Sequence, residues 1–201
     1  MIEHPSRWGL VSFIGGVLCL DFVNTVLDRT QSPTPDCLNT YDDLLAWGKD
    51  AGILTIAQVQ QLAQLAQAYP AQTEEIFSIA YELRESLYAL FVAEVTQGKP
   101  DAVHLDRFKT ALNQALVQRI LIPADKGYQW RWQTDNDLSR LIWPIALSAS
   151  ELLTSTDVAH VRQCPGCGWL FLDTSKNKRR RWCDMRACGN REKVKRHRKK
   201  A

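Results

Sequence analysis

No stretch of this chain approaches the roughly 18 to 20 uninterrupted apolar residues that a membrane-spanning helix requires. Its start, Met-Ile-Glu-His-Pro, lacks the basic-then-apolar pattern of a secretory signal, so a cytoplasmic protein with no membrane partner is expected. There is no P-loop, no dinucleotide fingerprint, no nucleophile elbow and no His-Glu-x-x-His motif. These absences remove the usual marks of nucleotide, acyl-transfer and zinc-hydrolase chemistry, and the expectation is a protein that is not an enzyme. Fixed-period repeats are missing too. The end of the chain is poor in apolar residues: beyond Cys188 the only large one is Val194, so a helix there has no stripe to bury against a core.

The chain does carry a strongly uneven charge. Its 201 residues have a formal net charge of +3, but residues 162–201 hold 14 of the 25 Lys and Arg against three acids, Asp173, Asp184 and Glu192, leaving +11 there and −8 in the rest. A near-neutral total hides a dipolar molecule. The first 161 residues are long enough and apolar enough for one sizeable core. The last 40 are too few to hold together by a core alone, and a segment of that size usually needs a metal or disulfides. In a reducing compartment a disulfide framework is disfavoured. Of the six cysteines, Cys19 and Cys37 stand apart and four cluster near the end.

Along the first part, two apolar runs over residues 8–27 are split by Gly15-Gly16, a turn signal. The first run reads as a strand. The second reads as a helix that would put Asp21, Asn24 and Asp28 on one face, although a strand is the alternative. After a Ser-Pro-Thr-Pro-Asp loop, helical periodicity runs over Tyr41 to Ala51, over Ile56 to Tyr69 behind a Thr55 cap, and over Glu74 to Thr96, with Pro70 as a breaker between the last two. Asp101 caps a further helix. Tyr128 to Gln133 alternates aromatic with polar residues, as a half-buried strand does, with Arg119 to Ile122 as its hairpin partner. Asp137 to Leu153 is apolar around much of its circumference and reads as a central helix kinked at Pro144. A link near Thr154 to Asp157 follows. The expected class is therefore α+β: a mainly α-helical N-terminal domain with a small β-sheet over residues 1–156, then a C-terminal treble-clef-like zinc finger over residues 157–201.

The finger rests on spacing. Cys164-Pro-Gly-Cys167-Gly and Cys183-Asp-Met-Arg-Ala-Cys188-Gly give Cys-x2-Cys, fifteen residues, Cys-x4-Cys, the pattern of a tetrahedral structural Zn2+ site on Cys164, Cys167, Cys183 and Cys188. Gly166 and Gly168 suit the sharp knuckle turn. Iron or redox-active cysteines are the rival reading, since the same knuckle coordinates iron. His160 and His197 flank the module as spare ligands. Between the pairs, Trp169 to Asp173 reads as a strand and Arg180 to Trp182 as its returning partner.

The cations fall in two clusters: Lys178, Arg179, Arg180 and Arg181 in the expected hairpin, and Arg191, Lys193, Lys195 and Arg198 on the expected last helix, with His197 and Lys200 nearby. A phosphate polyanion is the natural partner for such a surface, DNA first and RNA as the alternative. Trp182 is placed either to stack on a base or to pack.

From Cys164-Pro-Gly-Cys-Gly through Phe171-Leu-Asp-Thr-Ser175 and Arg180-Arg-Trp-Cys-Asp-Met185 to Cys188-Gly-Asn-Arg191, the end of the chain resembles the CGNR zinc finger family. Gly15-Gly16, Leu20-Asp-Phe-Val-Asn-Thr25, Arg29 and Tyr41-Asp-Asp-Leu-Leu-Ala-Trp47 look like the ABATE domain that accompanies this finger in bacterial proteins. The resemblance implies a stress-induced transcription regulator whose finger binds DNA and whose N-terminal domain senses or associates. Within the finger's signature, Gly189 would permit close approach of the helix start to the knuckle, Asn190 would bond knuckle backbone, and Arg191 would pair with Asp173 or a phosphate.

Three readings follow. The first is a zinc-dependent DNA-binding regulator, with a small-molecule effector at Asp21, Asn24 and Arg29 and with a homodimer as a further possibility, since a lone finger reads few base pairs. The second is an RNA- or ribosome-associated zinc protein. The third is an enzyme with a site near Asp21 and Asn24. The acidic half is expected to fold against the basic finger when no nucleic acid is bound, so that removing residues 1–155 would tighten DNA binding at low salt.

Overall fold

The computed structural model describes residues 13–198. The strand expected over residues 8–14 lies outside them, apart from Phe13 and Ile14, which join no strand. Seven α-helices follow in the order α1 (Leu18–Val23), α2 (Tyr41–Asp50), α3 (Ile56–Ala68), α4 (Pro70–Thr96), α5 (Ala102–Val117), α6 (Ile142–Leu153) and α7 (Asn190–Arg198). Two antiparallel ladders complete the described residues, β1 (Arg119–Pro123) with β2 (Tyr128–Trp132), and β3 (Val161–Gln163) with β4 (Leu170–Leu172).

The helix starts follow from their caps. Thr40 and Asp43 form a reciprocal capping box at α2, Thr55 and Gln58 form another at α3, and the Asp101 carboxylate accepts the Val103 N–H at α5. Pro70 does not hold α3 and α4 apart by a gap; it occupies the first turn of α4, where its missing N–H costs nothing. Pro144, expected to kink its helix, lies near that helix's start and not in its middle. A short 3-10 turn, Leu138–Leu141, capped by Asp137, hands over to α6 at Ile142, and Pro144 falls in the first turn of that helix. The expected link near residue 156 is a 3-10 turn, Thr156–His160, running straight into β3.

One core serves both ends of the chain. Phe22, Trp47, Leu87, Phe91 and Trp143 fill its helical part, and the same cluster continues through Trp169, Leu170 and Phe171 to the four clustered cysteines. Phe22 and Trp47 meet with ring centroids 5.1 Å apart, and truncating a buried aromatic of this kind costs about 3–5 kcal/mol. The short α1 lies against α4, α6 and β4 and so carries the N-terminal region onto the finger. No helix among the described residues is long and apolar enough to cross a membrane.

The strand pairing in the finger differs from expectation. Leu170–Leu172 pairs with Val161–Gln163 across the Cys164–Cys167 knuckle, while Arg180 to Trp182 joins no strand. The reason is local: the knuckle folds the chain back on itself, Gly168 N–H donating to the Cys164 carbonyl at 2.9 Å and Cys164 N–H to the Trp169 carbonyl at 2.8 Å, so β3 becomes the nearest partner for β4.

Candidate metal centre and nucleic-acid interface

The knuckle between β3 and β4 supplies Cys164 and Cys167. A turn of π-helix, Met185–Gly189, begun by the Asp184 carboxylate accepting the Arg186 N–H at 2.6 Å, brings Cys188 beside Cys183. The four sulfurs lie within 4.8 Å of one another and all four residues are buried. Cys167 and Cys183 sulfurs are 3.6 Å apart, and those of Cys183 and Cys188 3.7 Å. These spacings are far too long for a disulfide, at about 2.05 Å. They match a tetrahedron of sulfurs at Zn–S of about 2.3 Å, whose edges are about 3.8 Å. The charges agree with that fit. Hydrogen bonds from the Cys167 and Cys183 thiols, with backbone N–H groups of Cys183 and Gly166, hold Cys164 far below an ordinary thiol. Its bond to Cys164 pushes Cys167 up to about 12, and bonds to Cys164 and Cys167 raise Cys183. Cys188 is raised mainly by burial. Only a cation among them allows all four to be thiolates. The donor set and geometry fit structural zinc, which would tie the knuckle to the start of α7 with no open position.

His160 and His197 stand outside this cluster. Gly168 adopts the left-handed φ of 76° that the knuckle needs, and a Cβ there would meet the Cβ of Arg29 at 3.0 Å. Gly189 permits a different approach from the one expected: a Cβ would meet the Met185 sulfur at 2.9 Å, so it lets Met185 rather than the knuckle close over the helix start.

The N-terminal region grips the finger through backbone-directed bonds. Asn24 is fully buried, its Nδ2 donating to the Leu170 carbonyl at 2.8 Å and its Oδ1 accepting the Leu170 N–H at 3.0 Å. Trp169 Nε1 donates to the Val26 carbonyl at 2.6 Å, Arg29 N–H to the Cys167 carbonyl at 2.9 Å, and Leu172 N–H to the Gly15 carbonyl at 2.8 Å. Asp21 accepts the Gly15 N–H at 2.7 Å, and burial pushes its carboxyl up to about 6. The Arg29 guanidinium lies 3.8 Å over the Tyr88 ring and pairs with Glu85 at 2.7 Å. Asp21, Asn24 and Arg29 therefore reach three different places, Gly15, Leu170 and Glu85, rather than converging on one cavity. The structure does not put Asp28 on the α1 face either, since α1 stops at Val23.

Arg84 and Tyr88 of this seam escaped the sequence reading, and the partners of Asp28 did too. Arg84 is fully buried and pairs bidentately with Asp36 at 2.7 and 2.5 Å, with further bonds to Thr25 and Glu85. Burial opposes its charge, but the Asp36 and Glu85 carboxylates outweigh that and hold its pKa above the ordinary value. Its signal was present: an arginine with Ala80 at i−4 and Leu87 at i+3 faces inward and needs a buried partner. Tyr88 accepts from Gln163 at 2.7 Å and donates to the Gly168 carbonyl at 3.3 Å, joining α4 to both arms of the knuckle. Asp28 sits beside the metal centre, bonded by Thr30 and Gln31 and paired with Arg191 at 3.5 Å. Burial alone would raise the Asp28 carboxyl, but these bonds and the Arg191 charge hold it below the usual range. A cleft of about 320 Å³ is lined by the Asp28–Arg191 pair together with Leu27, Pro35, Trp169 and Ala187.

The eight expected nucleic-acid contacts divide by what they touch. Arg180 is held inside its loop: it lies 4.6 Å over the Phe171 ring and donates to the carbonyls of Trp182 and Cys183, while its N–H goes to Asp173. Lys178 takes a left-handed φ of 50° and its ammonium donates to the Asp173 carbonyl at 2.9 Å. Arg191 pairs with Asp28, not Asp173, and also approaches the Cys188 sulfur at 3.8 Å. Trp182 packs, at 8% exposed, with Arg181 over its ring at 5.1 Å. Arg179, Arg181, Lys193, Lys195 and Arg198 are exposed, and Val194 is 51% exposed, so the helix that carries three of them buries no apolar stripe.

Comparison with known proteins agrees with the architecture. The family model for ABATE, described as "Putative stress-induced transcription regulator", matches residues 16–156, and that for the CGNR zinc finger matches residues 160–201. Neither description is that of an enzyme. No curated protein matches the chain.

Proposed function

The chain belongs to the ABATE family and ends in a CGNR zinc finger, and from that premise we propose that it is a zinc-dependent DNA-binding transcription regulator of the stress response. The finger contacts nucleic acid and the N-terminal domain senses an effector or mediates association. One observation carries this reading: α7 has exposed cations and no buried stripe, so its interactions within the chain do not account for its sequence. The proposed contact set is Arg179, Arg181, Lys193, Lys195 and Arg198, with Arg191 at its edge, while Arg180 and Lys178 shape the loop that presents the first two. An effector acting on the finger would work at the seam, where the Asp28–Arg191 cleft adjoins the metal ligands.

The test is a titration of zinc-loaded full-length protein against labelled duplex DNA over a range of salt, with structured RNA as competitor. If about six phosphates are neutralised, log K falls with log salt at a slope near −5. Replacing Arg179, Arg181, Lys193 and Lys195 together by alanine should remove most of that slope. No binding at low salt would overturn the reading, and displacement by RNA at lower concentration than by DNA would turn it to an RNA-binding protein.

A further inference from the structure

Three of the four metal ligands, Cys167, Cys183 and Cys188, line the same cleft as Asp28 and Arg191. At about 320 Å³ it stands at the small end of ligand pockets, which run from about 300 to 1,000 Å³. That is room for one ring and a short chain, not for a macromolecule. Leu27, Pro35, Trp169 and Ala187 give it apolar walls. An apolar cleft with a few fixed polar groups is the common form of a small-molecule site.

The charges along the cleft select the ligand. Two are carboxylates, Asp28 and Asp184, and one is the Arg191 guanidinium. Four thiolates on a divalent ion would add about −2 beside them, so the lining is anionic in sum although the finger as a whole is basic. Lys193, Lys195 and Arg198 are exposed, where salt screens them. Asp28, at 9% exposed, is screened far less. A carboxylate offers about four acceptor positions. At Asp28, Oδ1 accepts the Thr30 N–H at 2.9 Å and the Thr30 hydroxyl at 2.5 Å, and Oδ2 accepts the Gln31 side-chain amide at 2.9 Å. The fourth position meets only Arg191 among the described residues, at 3.5 Å, well beyond the roughly 2.7–2.9 Å of a charge-assisted bond. The carboxylate is fixed in place with one acceptor position to spare.

We infer that this cleft binds a small primary amine in its ammonium form, the cation bonding Asp28 Oδ2 in place of Arg191 and an apolar body lying against Leu27, Pro35 and Trp169. An anionic ligand would face both Asp28 and Asp184 with only Arg191 to offset them. Arg191 yields readily, since its guanidinium is 60% exposed. The inference deepens the effector role proposed for this seam and rests on that reading for its consequence, which is that an amine on Asp28 frees Arg191 for phosphate. Binding itself stands without nucleic acid.

Isothermal titration calorimetry of the zinc-loaded full-length protein tests it with three probes of similar size: phenethylamine, the neutral phenethyl alcohol and the anionic phenylacetate. Phenethylamine should bind at least about tenfold tighter than either of the others, as one charge-assisted bond provides. Asp28→Asn should remove that preference. Arg191→Ala, which takes away the competing cation, should tighten the amine by up to about fivefold, and both variants should keep their zinc. No binding of the amine, equal binding of amine and alcohol, tighter binding of phenylacetate, or an amine affinity indifferent to both substitutions would each overturn the inference. Duplex DNA then separates the site from its consequence. Saturating phenethylamine should tighten DNA binding a few fold in the wild type and leave Asp28→Asn unchanged. An amine that binds as stated without that gain upholds the site and counts against the regulator reading.

Discussion

The side chain of Asn24 satisfies both backbone groups of Leu170, donating to its carbonyl at 2.8 Å and accepting its N–H at 3.0 Å, so that an amide in the N-terminal region extends the edge of β4 as a strand would. Both bonds are buried, and Asn24→Ala leaves two backbone groups without partners where water does not reach. At about 1–3 kcal/mol for each orphaned group, the variant should lose about 3 kcal/mol of stability in urea unfolding. Asn24→Asp should lose at least as much, because a carboxylate cannot donate to the Leu170 carbonyl. Loss confined to zinc affinity, with the helices as stable as before, would show that the bond belongs to the finger alone.

Metal removal should be felt by the whole chain. Trp169, Leu170 and Phe171 lie in the same core as Trp47 and Trp143, while the ligands that orient them are tied by a metal worth about 10–16 kcal/mol in isolated finger peptides. A chelator, or Cys183→Ser, should therefore lower the unfolding midpoint followed at the far-ultraviolet helix signal, and not merely release an unfolded C-terminal tail. Two transitions, one metal-dependent and one unaffected by chelation, would contradict the shared core.

How much of this was legible beforehand depended on whether a signal was local. The Cys-x2-Cys and Cys-x4-Cys spacing identified the ligands because a knuckle brings sulfurs together within a few residues. Thr55 and Asp101 marked helix starts for the same reason, each bonding an N–H two or three residues on. The pairing of β4 with β3 was missed because a knuckle shorter than the loop from Asp173 to Arg180 decides which strand arrives first. Asn24 and Asp28 were recognised as polar residues near an apolar run, but their partners lie 146 residues away in one case and across the seam in the other. Nothing in a 3.6-residue period reports such a distance. The same seam corrects the truncation that charge alone suggested: a finger without residues 1–155 would expose Trp169, Leu170 and Phe171, so it is a poor probe of DNA binding.

Asp21 gives the chain a pH signature. Burial raises its carboxyl from an ordinary 3.8 to about 6, the Gly15 N–H pulling the other way. Between those values the folded chain binds more protons at this group than the unfolded chain, so its contribution favours folding most at low pH and is lost as pH rises through about 6. Asp21→Asn keeps an oxygen for Gly15 and removes the titration. Relative to the wild type it should gain stability steadily from about pH 4 to pH 6 and hold a constant advantage above, roughly 2–3 kcal/mol at 1.36 kcal/mol per unit. Urea midpoints of the two proteins across that range check it, and parallel curves would show that the carboxyl titrates normally. Asp28 and Glu85, both held below the usual range by their partners, act in the opposite sense and at lower pH, in both proteins alike.

Asp28 and Arg191 set a competition between the N-terminal region and any phosphate that the finger meets. The carboxylate is 9% exposed and fixed by Thr30 and Gln31, whereas the guanidinium is 60% exposed and 3.5 Å away. Arg191 can therefore leave while Asp28 stays. A pair this open is worth at most about 1 kcal/mol, which is up to about fivefold in binding. Asp28→Asn should then tighten binding to duplex DNA by a few fold at low salt and steepen the salt slope by about one phosphate, with the metal still bound. Arg191→Ala should weaken binding, and in that background Asp28→Asn should change it much less, because the residue it releases is gone. Equal gains from Asp28→Asn with and without Arg191 would mean that Asp28 repels the phosphate directly rather than by holding the arginine.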